Sequence, residues 1–352
     1  MTEHKQRITS RAVLEERIEG LRDTVAYRGY LEARDRVLEM KALPANDIQA
    51  PSEYWDEELS GFEYMYDASP LVVASLRQHT YHVTGLRHYD YRTNRDRPAE
   101  LLRQKLEALR AADTTGLLVP ESRELGGFGF DIAGELYNVD TLKFYEVLIA
   151  LEYGSALPAL REGGERKLVW EIGAGWGGFA AAFKTLFPNT TYVISDLPDT
   201  MLFSATYLRA RFPEARMAFV PDVDVADVER GALDYDFIFT PNVVLDELAL
   251  PRLDLALNMV SFQEMSTEQV GAYVRRAREL GAPYLFSLNR ERSRYNPGLL
   301  GVTRIMSDWF WPNQIDVLPV SYVTLVDRKE WRRLADRPND YRHVIGWPRE
   351  PV

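Results

Sequence analysis

The spacing of hydrophobic residues divides the chain into two parts. Over residues 9–40, apolar side chains such as Leu14, Ile18 and Leu21 recur at i, i+4 and i+7 with charged residues between them, which predicts a helix. Helical spacing returns repeatedly, with irregular loops between, up to about residue 139. We therefore predict a mainly helical N-terminal domain over residues 1–139.

Between residues 140 and 352 the pattern changes, because short apolar runs alternate with segments of helical spacing. Such alternation predicts an α/β domain with a Rossmann-like, doubly wound and mostly parallel sheet. Four runs are predicted core strands: 167–172, 191–195, 253–257 and 284–288. Two further runs, 217–220 and 237–240, are both short, and the pattern leaves open which of them is the third core strand.

The most informative stretch follows the first predicted strand. Gly173, Gly175 and Gly178 satisfy the spacing G-x-G-x-x-G and precede a helical pattern, so backbone N–H groups can approach a ligand there. Asp196 ends the second predicted strand, where a carboxylate can accept hydrogen bonds from both hydroxyls of a ribose. The sequence therefore predicts a site for a nucleoside-containing cofactor, lined by Gly173, Ala174, Gly175, Trp176, Gly178, Asp196 and Leu197.

Glu171, two residues before the first glycine, bears on which cofactor binds. A dinucleotide places its pyrophosphate over such a turn, and a neighbouring carboxylate would repel it. S-adenosylmethionine (SAM) has no phosphate and carries a sulfonium and an ammonium group, which Glu171 would attract. Trp176 can add an aromatic face to the same cation. SAM is the predicted cofactor, NAD is the alternative, and a tight turn without a ligand is the simplest competing interpretation.

Polar residues also follow the later predicted strands, at the edge of the sheet where ligands bind. They are Asn258, Ser261, Gln263 and Glu264 after the fourth strand, and Asn289 and Arg290 at the end of the fifth. We expect Asn258 and Ser261 to contact the cofactor, and Asn289 and Arg290 to contact the acceptor. Glu264, assisted by Gln263, is the predicted base for a hydroxyl acceptor. The alternative for Glu264 is a structural role beside the dipole of the following helix.

The N-terminal part contributes further candidates. Three of the five histidines, His79, His82 and His88, fall within residues 79–88, and His82 is expected to contact the acceptor. Their spacing matches no zinc signature, so no metal is predicted. Tyr137 and Asn138 would overhang the cofactor and contact the acceptor, and a loop with a helix N-cap is the alternative. The aromatic residues between 43 and 67 are expected to pack a loop rather than to line a pocket.

Composition narrows the classes of function. The net charge of −11 disfavours nucleic acids and anionic membranes as partners. The chain has no cysteine, which excludes disulfides, thiolate metal sites and a cysteine nucleophile. Its first residues lack the apolar segment of a signal peptide, and no run approaches the roughly 18 apolar residues of a membrane span. A cytoplasmic protein is expected.

Five motifs together resemble a known family. They are Leu-Gly-Gly-Phe-Gly at 125–129, Tyr-Asn-Val-Asp-Thr-Leu-Lys at 137–143, Val-Trp-Glu-Ile-Gly-Ala-Gly-Trp-Gly-Gly-Phe at 169–179, Asp-Leu-Pro at 196–198 and Ser-Phe-Gln-Glu-Met at 261–265. Residues 120–292 thereby resemble the bacterial sugar O-methyltransferases found in natural-product and surface-glycan gene clusters. The resemblance implies SAM as the cofactor and a small-molecule acceptor, a sugar or a glycoside, whose hydroxyl is methylated.

Other acceptors and classes of protein stay open. A nitrogen or carboxylate acceptor would need no strong base. An NAD-dependent oxidoreductase and a non-catalytic protein that binds SAM or a nucleotide are the rivals from other classes. Glu171 argues against the first rival, and the polar segment 261–264 argues against the second. The helices before residue 140 are expected to cover the cleft or to form a homodimer interface.

Overall fold

The computed structural model describes residues 7–46, 48–220, 232–291, 296, 298–317 and 341–350. Its N-terminal part is helical, as the spacing predicts. The helices are α1 (Arg11–Arg22), α2 (Val25–Lys41), α3 (Glu53–Ser60), α4 (Pro70–Val73), α5 (Leu76–His79), α6 (Tyr81–Thr84) and α7 (Asp96–Ala112). The predicted helix over 9–40 is two helices, because the Thr24 hydroxyl accepts a hydrogen bond from the Tyr27 N–H and caps α2.

A β-hairpin of β1 (Phe130–Ile132) and β2 (Glu135–Tyr137) leads into α8 (Val139–Tyr153) and α9 (Ala156–Arg161). Strands and helices then alternate. The strands are β3 (Lys167–Ile172), β4 (Thr190–Asp196), β5 (Met217–Phe219), β6 (Phe237–Pro241), β7 (Leu255–Met259), β8 (Leu285–Arg290), β9 (Phe310–Ile315) and β10 (Tyr341–Pro348). The helices are α10 (Gly178–Leu186), α11 (Pro198–Arg211), α12 (Thr267–Glu279) and α13 (Val302–Met306).

Strands β3 to β10 form one sheet in the order β5-β6-β4-β3-β7-β8-β10-β9. The first six strands of that order are parallel, and β10 is antiparallel to both of its neighbours. The predicted α/β fold with a doubly wound, mostly parallel sheet is confirmed. Both undecided runs are strands, and β6 is the one that pairs with β4. The strand order reverses between β3 and β7, so a ligand site is expected at their carboxyl ends.

Both faces of the sheet are covered. Val169 on β3 belongs to a buried cluster with residues of α8, α10 and α11, whereas Trp170 belongs to a second cluster with residues of α12. Alternate side chains of a strand point to opposite faces, and both faces are covered here, which explains why residues 168–172 of β3 are apolar apart from Glu171. Among the described residues, no helix is long and apolar enough to cross a membrane.

The N-terminal helices pack on the same core as the sheet. Tyr30 and Val37 of α2 and Leu102 of α7 are fully buried in the cluster that contains Val169. Helix α2 packs along α11, where Lys41 pairs with Asp199 at 2.6 Å. The domain boundary near residue 139 remains a prediction, while the hydrophobic core itself is continuous across it.

Arg77 of α5 joins the helical part to the sheet. Its guanidinium is fully buried, donates to Glu121 at 2.9 Å and to Asp140 at 2.7 Å, and lies 3.8 Å from the centre of the Trp176 ring. A buried cation is stable only with charged or hydrogen-bonded partners around it. These contacts therefore hold α5, α8 and the loop after β3 in one arrangement.

We predict that Arg77→Met lowers the free energy of unfolding by about 3–5 kcal/mol, because it leaves buried carboxylates without their cation while keeping most of the side-chain volume. Urea denaturation followed by circular dichroism measures this change. Arg103→Ala is the control, since Arg103 pairs with Glu100 on the surface and such pairs contribute about 0–1 kcal/mol. If both variants lost the same free energy of unfolding, the Arg77 contacts would stabilise the fold no more than a surface ion pair does.

Candidate cofactor and acceptor site

A cavity of about 500 Å³ opens at the carboxyl edge of the sheet, and its size suits a small-molecule ligand. Both parts of the chain line it. The strand ends contribute Gly173, Ala174, Gly175, Trp176, Asp196, Leu197, Ser261 and Glu264, which are all predicted site residues. The N-terminal part contributes Gln49, Tyr54, Trp55, Glu58, Tyr81 and His82, among others. Tyr54 and Trp55, which were expected to pack a loop, lie on α3 and supply part of the cavity wall.

The glycine turn joins β3 to α10. Gly173 and Gly175 have φ angles of +73° and +57°, which favour glycine. A Cβ on Gly173 would lie 2.1 Å from Ser261 Oγ, so no side chain fits between the two loops. Gly177, with φ of +83°, caps α10, whereas Gly178 lies under the Trp176 ring and does not line the cavity. The role of Gly178 in binding a cofactor stays a prediction.

Trp176 is almost fully buried within the turn. Arg77 covers one face of its ring, and Tyr207 packs edge-on at 4.8 Å between ring centres. The cation that contacts the Trp176 ring is therefore the guanidinium of Arg77. Contact of Trp176 with a cofactor cation stays a prediction.

Asp196 ends β4 on the cavity wall. Its carboxylate accepts hydrogen bonds from the N–H groups of Gly175 and Leu197, both at 2.7 Å. Burial raises the pKa of Asp196 to about 6, while these bonds act in the opposite direction. Asp196 thus fixes the turn and lines the cavity at once, and its bond to a ribose stays a prediction.

Glu171 is fully buried on β3, next to the turn but not in the cavity lining. The Tyr192 hydroxyl donates to its Oε2 at 2.9 Å, and its Oε1 has no hydrogen-bond partner among the described residues. Burial raises the pKa of Glu171 to about 8. A cation bound nearby would stabilise the ionised form, so the unpaired oxygen suits a positively charged ligand.

The polar residues after β7 and β8 mostly bond to one another. Asn258 Nδ2 donates to the Ile172 carbonyl at 2.8 Å, and Asn289 Nδ2 donates to Asn258 Oδ1 at 2.8 Å. Gln263 Oε1 accepts from the Arg290 N–H at 2.9 Å. Buried amides need such partners, and Asn258, Gln263 and Asn289 consequently lie behind the cavity wall rather than on it. They hold the strand ends together.

Three predicted acceptor residues also lie away from the cavity lining. Asn138 is fully buried and caps α8, accepting from the Thr141 N–H and donating to Glu121. Tyr137 is buried in the β-hairpin, and Arg290 stacks 4.6 Å from the centre of the Tyr341 ring. Asn138 is the N-cap of α8, and its contact with the acceptor stays a prediction.

Glu264 lines the cavity in the short 3₁₀ turn Phe262–Glu264 that follows β7. Burial raises the pKa of Glu264 to about 7, while a hydrogen bond from the Trp55 side chain and the charges of Lys143 and Arg290 lower it and Asp196 raises it. A carboxyl group with a pKa near 7 is suited to accept a proton at neutral pH.

Two further groups face the cavity from the helical part. His82 Nδ1 lies 3.5 Å from Glu58 Oε2, and His82 Nε2 is buried without a hydrogen-bond partner among the described residues. Lys143 on α8 lines the cavity and pairs with Asp140 at 3.1 Å. Sequence reasoning missed Glu58 and Lys143, because each looks like a charged residue on the outer face of a helix.

No model of a known protein family matches the chain, and no curated protein matches it. Solved structures that match include an N-methyltransferase, NodS, from Bradyrhizobium japonicum WM9, with 12% identity and a TM-score of 0.35 over 56% of this chain and 95% of that chain. Phosphoethanolamine N-methyltransferase 2 of Haemonchus contortus, in complex with SAM, has 12% identity and a TM-score of 0.37 over 61% of this chain and 58% of that one.

Precorrin-6y C5,15-methyltransferase from Geobacter metallireducens GS-15 has 15% identity and a TM-score of 0.32, over 55% of this chain and 87% of that chain. The α/β fold assigned above rests on the strand order of this chain. In the described part of the chain, no group of three or more His, Asp or Glu residues is arranged to hold a metal ion.

We predict that Gly173→Ala weakens the binding of SAM about tenfold or more, which corresponds to about 1.4 kcal/mol, because the new Cβ must displace Ser261. Gly281→Ala is the matched control, since Gly281 has φ of +76° but no atom within 4 Å of the added Cβ. Both variants carry the left-handed strain of about 1–2 kcal/mol, so urea denaturation should show a loss in each. Calorimetric titration that finds the same affinity in both variants would contradict the close approach.

Proposed function

We propose that the protein is a SAM-dependent methyltransferase that methylates a hydroxyl of a sugar or of a glycosylated small molecule. The observation that carries the proposal is the glycine turn at the edge of a cavity of about 500 Å³, next to a buried carboxylate of which one oxygen has no hydrogen-bond partner in the described part of the chain. The turn leaves room for a ligand to approach the backbone, and the carboxylate favours a ligand with a positive charge.

The residues present suit SAM better than a dinucleotide. Glu171 lies behind the glycine turn with one oxygen that has no partner among the described residues, so its charge favours a ligand that brings an ammonium group to the turn. Lys143 in the cavity wall is a counter-charge for its carboxylate, and Asp196 is the acceptor for the ribose hydroxyls. The pyrophosphate of NAD would instead meet the carboxylates of Glu171 and Asp196 at the turn.

Bound SAM supplies an activated methyl group on a sulfonium. The chain's own task is to align the acceptor oxygen with that methyl group and to take the hydroxyl proton as the new O–C bond forms and the S–C bond breaks. Glu264 lines the cavity after β7 and has a pKa raised to about 7, so a large fraction is ionised at neutral pH. A base tuned in this way supports a hydroxyl acceptor over an amine or a carboxylate.

The wall formed by the N-terminal part supports a sugar or a glycoside as the acceptor. Tyr54, Trp55 and Tyr81 offer aromatic faces, and Glu58 and His82 offer polar groups beside them. Such a mixture suits a molecule with an apolar face and several hydroxyls. Denaturing the purified protein and identifying the released small molecule tests the cofactor, and a screen of glycosides with SAM tests the acceptor.

We predict that Asp196→Ala weakens SAM binding about 10- to 150-fold, because a charged hydrogen-bond acceptor worth about 1.5–3 kcal/mol is lost. Asp254→Ala is the matched control: Asp254 accepts from the Leu168 N–H at 2.8 Å, at the opposite edge of the sheet. That variant should lose stability but keep its affinity in calorimetric titration. Unchanged affinity in Asp196→Ala would remove Asp196 from the cofactor site.

We predict that Glu264→Gln lowers kcat by about 10²–10⁴-fold while the Kd for SAM changes little, because the substitution keeps the size and removes the basicity. In the wild type, kcat/KM should fall as the pH drops through about 7, since protonation of the raised-pKa carboxyl removes the base. This acid limb should disappear in Glu264→Gln.

Glu268→Gln is the control for Glu264→Gln, since Glu268 is exposed in the first turn of α12 and loses the same charge. Near-normal turnover in Glu264→Gln would make Glu264 structural. A larger loss in His82→Ala would assign the proton to the histidine instead.

A further inference from the structure

Three successive backbone carbonyls at the cavity mouth are held by side-chain amides from the other half of the chain. Gln269 Nε2 on α12 donates to the Ile48 carbonyl at 2.7 Å and to the Ala50 carbonyl at 2.9 Å. Asn242 Nδ2, after β6, donates to the Gln49 carbonyl at 2.5 Å. Residues 48–52, which we call the strap, line the cavity together with both amide residues.

The orientation of the Gln269 amide follows from its second role. Its Oε1 accepts from the Ser266 N–H at 2.9 Å, which completes the capping box of α12. Because Gln269 Oε1 accepts a hydrogen bond at the start of α12, the NH₂ group of the same amide faces the strap. One side chain thus fixes the start of α12 and holds two carbonyls that lie more than 200 residues away in sequence.

The strap leads directly into α3. Ser52 ends the strap and caps α3, and its carbonyl accepts from the Asp56 N–H at 2.9 Å. On α3, Trp55 lines the cavity together with Glu264, whose pKa its side chain lowers, and Glu58 Oε2 lies 3.5 Å from His82 Nδ1. Trp55 and Glu58 are three residues apart, so they lie on one face of the helix. The position of α3 consequently sets both contacts.

We propose that Gln269 and Asn242 form a clamp that holds the strap across the cavity and, through α3, positions Trp55 against Glu264 for the proton transfer. Both clamp residues are positioning residues, because they act on the reaction through α3. The role in catalysis rests on the proposed methyl transfer. The clamp itself rests on the three hydrogen bonds to the strap and on the continuity of the strap with α3.

The test uses Gln269→Glu in the full-length protein. A glutamate keeps the acceptor for the Ser266 N–H, so the capping box persists, but it loses both donors and sets a carboxylate against two carbonyl oxygens. Amide hydrogen exchange, measured by mass spectrometry without ligands, should become about tenfold faster over residues 55–60 and stay unchanged over residues 270–279. Asn242→Ala, which removes the third bond, should add to the effect.

Kinetics then separate positioning from a merely structural role. In Gln269→Glu, kcat should fall about tenfold while the Kd for SAM stays within about threefold, since the glycine turn is untouched. The acid limb of kcat/KM should move to higher pH, because a displaced Trp55 no longer lowers the pKa of Glu264. The facing groups Lys143, Asp196 and Arg290 are unchanged by the substitution.

Gln104→Glu is the matched control, because Gln104 on α7 also loses an amide-to-oxygen bond, to Glu100, and lies outside the cavity lining. It should change neither exchange over residues 55–60 nor the pH profile. Unchanged exchange in the Gln269→Glu/Asn242→Ala double variant would overturn the clamp. Faster exchange with an unaltered kcat and pH profile would overturn its role in positioning.

A wild type that neither binds SAM nor transfers a methyl group would defeat the proposed function and, with it, the catalytic role of the clamp. The exchange data, obtained without ligands, would still decide whether the clamp exists. The two failures are therefore distinguishable.

Discussion

The close contact between the ends of β3 and β7 is the constraint on which the rest of the site depends. Gly173 leaves no space for a side chain against Ser261, and Asn258 bonds across to the Ile172 carbonyl. This contact lies where the strand order reverses, so it sets the edge of the cavity. A larger residue at position 173 or 261 would push the ends of β3 and β7 apart. It would thereby change the site at the point where a ligand meets the backbone.

Burial then sets the charge state of the cavity. Glu171, Asp196 and Glu264 are acidic groups for which burial raises the pKa, and the charge of Asp196 raises the pKa of both glutamates further. Lys143 stabilises the ionised forms of Glu171 and Glu264. A ligand that brings positive charge would therefore favour ionisation of these carboxyl groups, and ligand binding and proton release are expected to be coupled.

The N-terminal helices are part of this site rather than an appendage to it. Arg77 connects them to α8 through its buried charge pair with Asp140 and to the turn through its contact with the Trp176 ring. The Lys41–Asp199 pair connects α2 to the start of α11. Helix α3 completes the cavity by placing Trp55 beside Glu264. The environment that sets the pKa of Glu264 thus includes a residue more than 200 positions earlier in the chain.

The sequence by itself determined the elements whose signals are local. The strand-turn-helix around Gly173, the capping box at Ser266 and Gln269, and the alternation that implies a parallel sheet all follow from spacing and from backbone preferences. Asp196 and Glu264 could be placed at the cavity because the carboxyl ends of parallel strands meet at one edge.

Only the tertiary structure decided where the polar side chains point. Asn138, Gln263 and Asn289 turned inward because buried amides must be hydrogen-bonded, and their partners lie on other elements. Trp55, Glu58 and Lys143 belong to the cavity because helix packing brings distant segments together, for which a single sequence carries no periodic signal. The choice between β5 and β6 was likewise undecidable, since pairing partners rather than composition fix the order of short strands.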